Sequence, residues 1–329
     1  MQPAWSVVRL SFFAMAIAVN CKLPEGSRHC YNAGTGQARL GDSRNHRDMK
    51  LQRSIIALVA LIWLCPAVQA VAAPCEPRYP PSQQLATIYD SALLLQKQLE
   101  TLPDHVQVVL LARAGQDLSR FNLRYSHMGF AVRAGNDSRW RSIHLLNRCA
   151  SDRSDLYDEG LVNFVGESAL RDGILLAIPT MELQQRLYPL LIQSDGLARA
   201  VHDPRYSALA YPFATEFQNS NQWILEVIAA AQMGLSADDR SNPELRPLLQ
   251  SWLKANKYQP SRLHIKLHER IAARAGVANV AVVDHPAGER LSGDYSVVTV
   301  KSVIDFLQSQ HWLDSQQHVA NVTTEGSSP

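Results

Sequence analysis

Apolar positions along this chain follow two periods, and the change from one to the other outlines the elements. Between Pro81 and Pro103, Leu85, Ile88, Ala92, Leu95 and Leu99 recur close to every 3.6 residues, which predicts a helix ended near Pro103. The run "VQVVLLAR" (106–113) is unbrokenly apolar from Val108 to Ala112 and predicts a buried strand. "SHMGFAVR" (126–133) and "WRSIHLL" (140–146) predict two strands, and "AGNDS" between them supplies the turn of a hairpin. "LYDEGLVNFVG" reads as a loop or short element, "GILLAIP" (173–179) as a strand and "MELQQRLYPLLI" (181–192) as an amphipathic helix. After an irregular, aromatic stretch over 202–218, Trp223, Val227 and Ala230 share a helical stripe beside Ile224, Ile228 and Ala231, the pattern of a core helix. A further helix is predicted over 246–258. "VANVAVVDHP" and "YSVVTVKSVIDFLQ" add strand and strand-to-helix material, and the chain turns polar from His311, predicting a flexible tail over 311–329. Helices at both ends of a largely antiparallel set of strands predict a single α+β domain over 74–310, an antiparallel sheet with flanking helices.

The N-terminal pattern differs. From Met49, Lys50 and Arg53 precede an apolar run from Ile55 to Leu64, closed by the small residues of "VQA" (68–70) and "VAA" (71–73). That is the form of a secretory signal peptide over 49–73. Its apolar core is shorter than the roughly 20 residues that span a bilayer, so no stable membrane span is expected after cleavage. Residues 1–48 show no periodicity beyond one apolar patch. They read as a non-native or disordered extension ahead of a true start at Met49, with a genuine extension as the alternative. The expected location is periplasmic or secreted. Of the five cysteines, Cys75 and Cys149 alone survive cleavage after Ala70 or Ala73. In an oxidising compartment they predict one disulfide. A net charge of +2, with no dense basic block, gives no argument for a nucleic-acid partner.

Three polar residues interrupt apolar elements. His127 opens one hairpin strand, His144 lies on the other at about the same level, and Ser220 begins the core helix. A basic histidine needs a second polar group on its other ring nitrogen to fix its tautomer. A nucleophile at a helix N-terminus gains the dipole and free N–H groups for an oxyanion. The same residues have plainer readings: histidines on strands form ordinary hydrogen bonds, and "NSN" (219–221) is a good N-cap. His264 and His268 stand four apart, and His285 would be the third ligand a zinc site needs. The acid follows the second histidine, however, and a solvent-facing helical stripe accounts for the spacing. No cofactor and no metal is expected. Arg113, Asp117, Arg120 and Arg124 form either a binding rim or surface ion pairs. Tyr206, Tyr211, Phe213 and Phe217 line a groove or pack in the core.

The stretches "YDSALLLQKQLE", "ARAGQDLSRFNLRYSHMGFAVR", "IHLLNRCASDRSDLYDEGLVNF", "YPFATEFQNSNQWILE" and "LSGDYSVVTVKSVIDFL" resemble the exported bacterial family called domain of unknown function 2145, across most of 75–308. More distantly, "YSHMGFAV" resembles the histidine strand of circularly permuted papain-like proteins of the NlpC/P60-like and lecithin–retinol-acyltransferase-like group. In that group a second polar residue lies on the next strand, and a cysteine nucleophile opens a later helix. The resemblance implies a permuted papain-like core with His127 as base, His144 as its orienter and Ser220 where the cysteine would stand. A serine hydroxyl, unlike a thiol, needs its base in every turnover. The implied activity is that of an acyl hydrolase or transferase acting on a cell-envelope peptide, amide or lipid. The alternative is a catalytically inactive envelope binding or structural protein on the same scaffold.

Signal cleavage at either small-residue site gives a mature chain beginning at Val71 or Pro74. N-terminal sequencing of protein from its native host checks this, and a mature chain that keeps Met1 refutes it.

Overall fold

Val108–Arg113 (β1) is buried at every position, and it runs inside a sheet covered on both faces. The computed structural model describes residues 81–133, 139–149, 151–166, 173–276 and 279–320. Around β1 lie His127–Arg133 (β2), Trp140–Asn147 (β3), Ser154–Gly160 (β4), Ile174–Pro179 (β5) and Leu313–Val319 (β8). The six strands follow the order β4-β3-β2-β1-β5-β8 with antiparallel pairing throughout. The expected α+β domain, an antiparallel sheet with flanking helices, is what forms.

Side chains alternate across the sheet and so divide the core in two. Val109, Leu111, Ala131 and Trp140 face Ser82–Glu100 (α1) and Leu161–Gly166 (α2). Met128, Phe130, Val132 and Leu145 face Met181–Ile192 (α3) and Ser220–Gln232 (α5), while the short Leu197–Ala200 (α4) joins the same layer. Leu245–Ala255 (α6) and Val300–Ser309 (α9) complete that side. A two-stranded antiparallel sheet, Ser261–His264 (β6) with Asp294–Val297 (β7), carries Leu267–Gly276 (α7) and Ala287–Ser292 (α8). Gly293 links α8 to β7 at φ 83°, where a Cβ would stand 2.8 Å from the Ile265 carbonyl oxygen, so any other residue is strained there.

The core helix is α5, buried from Ser220 to Ala231. Trp223 packs edge-on to Phe130 at 5.7 Å between centroids and donates its indole N–H to the Ala198 carbonyl at 2.8 Å. One charge interrupts the apolar surface. Glu226 is fully buried, and it accepts from Gln218 (2.6 Å), Gln222 (3.1 Å), Gln250 (2.9 Å) and the Arg246 guanidinium (2.9 and 3.2 Å). Arg246 also donates to the carbonyls of Thr215 and Phe217, so it ties α6 to the segment entering α5.

Several expectations need correction. The polar run after His311 is not a tail over its first part. Leu313–Val319 pairs with β5, and its exposed polar residues are those of an edge strand, which needs one buried residue, Val319, to seat it. Residues 321–329 lie outside the described residues, as do residues 1–80 with the signal-peptide and extension expectations, and the hairpin turn 134–138. "LYDEGLVNFVG" is both β4 and α2. The part of "VANVAVVDHP" that is described forms no strand. His264 ends β6, hydrogen-bonded to Asp294 at 2.8 Å, while His268 lies in α7, so the two share no helical stripe. The Cys75–Cys149 disulfide does not stand as a feature of the described structure. No two sulfur atoms among the described residues lie at bonding distance, Cys75 falls outside them, and Cys149 is not a free thiol.

Replacing one partner of a buried ion pair leaves the other charge uncompensated, at a cost of about 3–5 kcal/mol. Arg246→Ala is therefore expected to lower unfolding stability by about that amount in urea denaturation, and Glu226→Gln with Arg246→Met to cost less than Arg246→Ala alone.

Candidate active site

β2 and β3 pair with Phe130 opposite Ile143, a register that puts Gly129 opposite His144. His127 is therefore the diagonal neighbour of His144 on the same sheet face, two residues off the level expected from a turn centred on Asn136. The diagonal is bridged because the residue between them lacks a side chain. A Cβ on Gly129 would meet the His144 Cβ and the Phe164 ring, each at 3.1 Å. Through that gap the rings meet edge to face, with His127 Nε2 at 2.9 Å from His144 Nδ1.

The contact continues outward. His144 Nε2 is 2.9 Å from Glu159 Oε1 on β4, and Asn163 of α2 donates to Glu159 Oε2 at 3.1 Å. Phe164 covers the pair, 6.1 Å from the His127 ring and 5.3 Å from the His144 ring. Arg113, opposite His127 in the β1–β2 register, holds its guanidinium 5.2 Å over the same Phe164 ring. Glu159 and Gly129 were not singled out in the sequence. The acidic residue one strand on, inside "LYDEG", was the available signal.

Ser220 approaches from the other side. By alternation the two histidines face the α1–α2 layer, whereas α5 packs on the α3 layer, so the elements meet only at the end of the sheet. A cavity of about 360 Å³ opens there, lined by Arg113, Ser126, His127, Tyr206 and the Asn219–Asn221 segment among others. The capping question resolves cleanly. Asn219 is the N-cap and accepts from the Gln222 N–H at 2.8 Å, which leaves the Ser220 side chain without that task. The Ser220 hydroxyl lies near the phenol of Tyr206 and acts to lower its pKa. No hydrogen bond joins Ser220 to His127 among the described residues. Asn221 ties the helix start to β2 by donating to the Ser126 carbonyl at 3.1 Å. The N–H groups of Ser220 and Asn221 take no backbone acceptor among the described residues, as first-turn amides do.

The chain matches the family model described as "Uncharacterized protein conserved in bacteria (DUF2145)" over residues 99–307, more than half its length. It belongs to the DUF2145 family. The comparisons with curated proteins and with solved structures each returned no match. The matched span of this DUF2145 chain contains the histidine pair, Glu159 and Ser220.

Electrostatics give the pair a direction. Burial, then Arg113, then His144 hold His127 well below its ordinary pKa of 6.5, so it is neutral near pH 7. Burial alone would raise the Glu159 pKa, but hydrogen bonds from His144 and Asn163 outweigh it and keep the carboxylate ionised. The ionised Glu159 oxygen accepts from His144 Nε2–H, and the other nitrogen of that ring, Nδ1, shares a hydrogen bond with His127 Nε2. Burial raises the Tyr206 phenol to about 12, despite the Ser220 hydroxyl nearby, so it stays protonated. Among the described residues no group of three or more metal-ligating side chains occurs, and no helix is long and apolar enough to cross a membrane.

Because the native His127 stays neutral where the unfolded chain takes up a proton, stability is full above about pH 6.5 and falls as pH drops below it, by up to about 1.4 kcal/mol per pH unit. His202, also lowered first by burial, acts with the same sign. Denaturation at pH 7 and pH 5 is expected to show this loss reduced, but not abolished, in His127→Gln. An unchanged difference would remove the buried neutral His127.

Proposed function

We propose that this DUF2145 chain is an acyl hydrolase or transferase of the cell envelope that uses Ser220, His127 and His144, with Glu159 behind them. The observation that carries the reading is the hydrogen-bonded chain Glu159–His144–His127, which ends on a ring held neutral by burial beside a cavity that Ser220 also lines. The order along the sequence is a histidine strand, a second polar strand and then a helix-borne nucleophile. That is the order of the permuted papain-like group, and it supports such a core here.

In this mechanism Ser220 turns to His127 and attacks the carbonyl carbon of an ester or amide, while its proton passes to the His127 ring. His144 and Glu159 hold the resulting imidazolium in place. The carbonyl oxygen, now an oxyanion, meets the Ser220 and Asn221 N–H groups at the positive end of α5. Collapse of the intermediate breaks the bond to the leaving group, which takes the proton back from His127. Water or an acceptor alcohol or amine then resolves the acyl-serine by the reverse proton path. A peptide, amide or lipid of the envelope is the substrate if the chain is exported through its N-terminal signal.

One observation favours a second reading, a binding protein on the same frame. No hydrogen bond joins the Ser220 hydroxyl to His127 among the described residues, and the His127 Nε2 contact is to His144.

A fluorophosphonate probe separates the two. Labelling at Ser220, located by mass spectrometry, is expected in the wild type and absent in Ser220→Ala. It is expected to slow by about 10²–10⁴-fold in His127→Ala. A wild type that stays unlabelled supports the binder, and equal labelling with and without His127 removes the base. Ser220→Cys is expected to take a thiol-directed electrophile faster than the wild type takes the fluorophosphonate, since a thiolate needs less from its base.

A further inference from the structure

The lining of the cavity beside Ser220 is chemically divided. His127, Arg113 and the start of α5 form its polar part, while Leu118, Phe121, Leu209, Leu263, Ile265 and Val297 form an apolar arm. That arm is built by a separate piece of the fold. Leu263 and Val297 come from the β6–β7 pair, and with Leu123 and Tyr295 they form a small hydrophobic cluster apart from the two main cores. Leu118, Phe121, Leu209 and Ile265 pack on this cluster without being fully buried, so part of their apolar surface is turned to the cavity.

Several polar groups near the arm are already matched. Arg120 and Glu269, both at the cavity wall, form an ion pair with each other. Ser207 donates to the Ala281 carbonyl at 2.8 Å and accepts from the Ala281 N–H at 3.0 Å. His285, buried between Tyr211 and Tyr295, bonds the Leu209 carbonyl and Glu289, which fixes the Leu209 segment against α8. A sugar or a peptide backbone lying against these six apolar residues brings donors and acceptors that their side chains cannot pair, and burying them unpaired is unfavourable. An aliphatic chain brings none. The size of the cavity, at the lower end of the range for small-ligand sites, suits a short chain rather than a whole lipid.

We propose that the arm is an acyl-chain subsite, which takes the aliphatic acyl group of an ester or amide and brings its carbonyl carbon to Ser220. This rests on the acyl-transfer reading above and specifies its substrate as an aliphatic acyl compound.

Inert carboxamides test the arm without any turnover. Acetamide, butanamide and hexanamide are titrated into the full mature chain and followed by amide chemical shifts in NMR, in the wild type, Ser220→Ala, Leu118→Gln and Ile265→Gln. Both glutamine variants alter partly exposed side chains and are expected to fold, which their spectra report directly. Affinity is expected to rise about fourfold per added methylene in the wild type and in Ser220→Ala, the factor corresponding to burial of one methylene. The rise is expected to flatten in both glutamine variants. Binding that ignores chain length, a rise that survives both glutamine variants, or no binding of any amide overturns the subsite. Acetyl-leucine methylamide carries a branched alkyl group on a peptide backbone, and tighter binding of it than of hexanamide assigns the arm to a peptide side chain and overturns the acyl reading. Because Ser220→Ala keeps the arm and removes the nucleophile, failure of the subsite and failure of the catalytic assignment give different results.

Discussion

A carboxylate with no exposed surface, Glu226, sits in the middle of the helix around which one side of the fold is packed. Buried charge is tolerated when it is paired and its lone pairs are filled, and here Arg246 and three glutamines fill them. The same guanidinium holds the carbonyls of Thr215 and Phe217, two residues whose chain leads directly into Asn219. One interaction therefore sets the register of α5, the path of the loop before it and the point at which its N-terminus meets the sheet. Such a pair adds little net stability over an apolar core of the same shape. Its effect is to penalise every arrangement in which α5 slides or turns.

The histidine pair depends on a constraint of the opposite kind, an omitted side chain. Diagonal neighbours on adjacent strands lie within reach of aromatic rings. A side chain at Gly129 would press on the His144 Cβ and the Phe164 ring, so its absence lets the rings of His127 and His144 touch with Phe164 closed over both. Burial keeps His127 neutral, and Glu159 anchors the outer ring of the pair through His144 Nε2. Ser220 belongs to a different layer of the protein, lies near Tyr206 and lines the same cavity as His127 without a hydrogen bond to it.

The cavity joins three regions that are distant in sequence. Its polar part comes from the sheet and α5, and its apolar arm from the loop before β2 and the small β6–β7 unit. Arg113 and Arg120, ambiguous between rim and surface in the sequence, both line it, and Arg120 is at the same time paired with Glu269. Tyr206 and Leu209 face it as well. Phe213 packs with Tyr211 and Tyr258 instead.

The pattern of apolar residues alone determined most elements of this protein: β1 up to Ala112 and β5 are unbroken apolar runs, β2 and β3 flank a turn signal, and the long first helix, α3 and the core helix α5 lie where apolar residues repeat near 3.6. Local pattern is sufficient there because each element buries its own face. It failed for β8, whose outward residues are polar because it is an edge strand, and for β4, where Asp155, Asp158 and Glu159 break any apolar alternation on a half-exposed edge strand. His127, His144 and Ser220 were legible as polar interruptions, and the N-terminal cap was legible as "NSN" without saying which residue does the capping. Tertiary structure alone decided the rest: that Asn219 caps, that Glu159 completes the histidine pair, that Gly129 makes room for it, and that Ser220 lies near Tyr206. These depend on strand register and on which sheet face each layer covers. A shift of one residue in pairing reverses every side chain, so they are properties of packing between distant segments and not of any one segment's sequence.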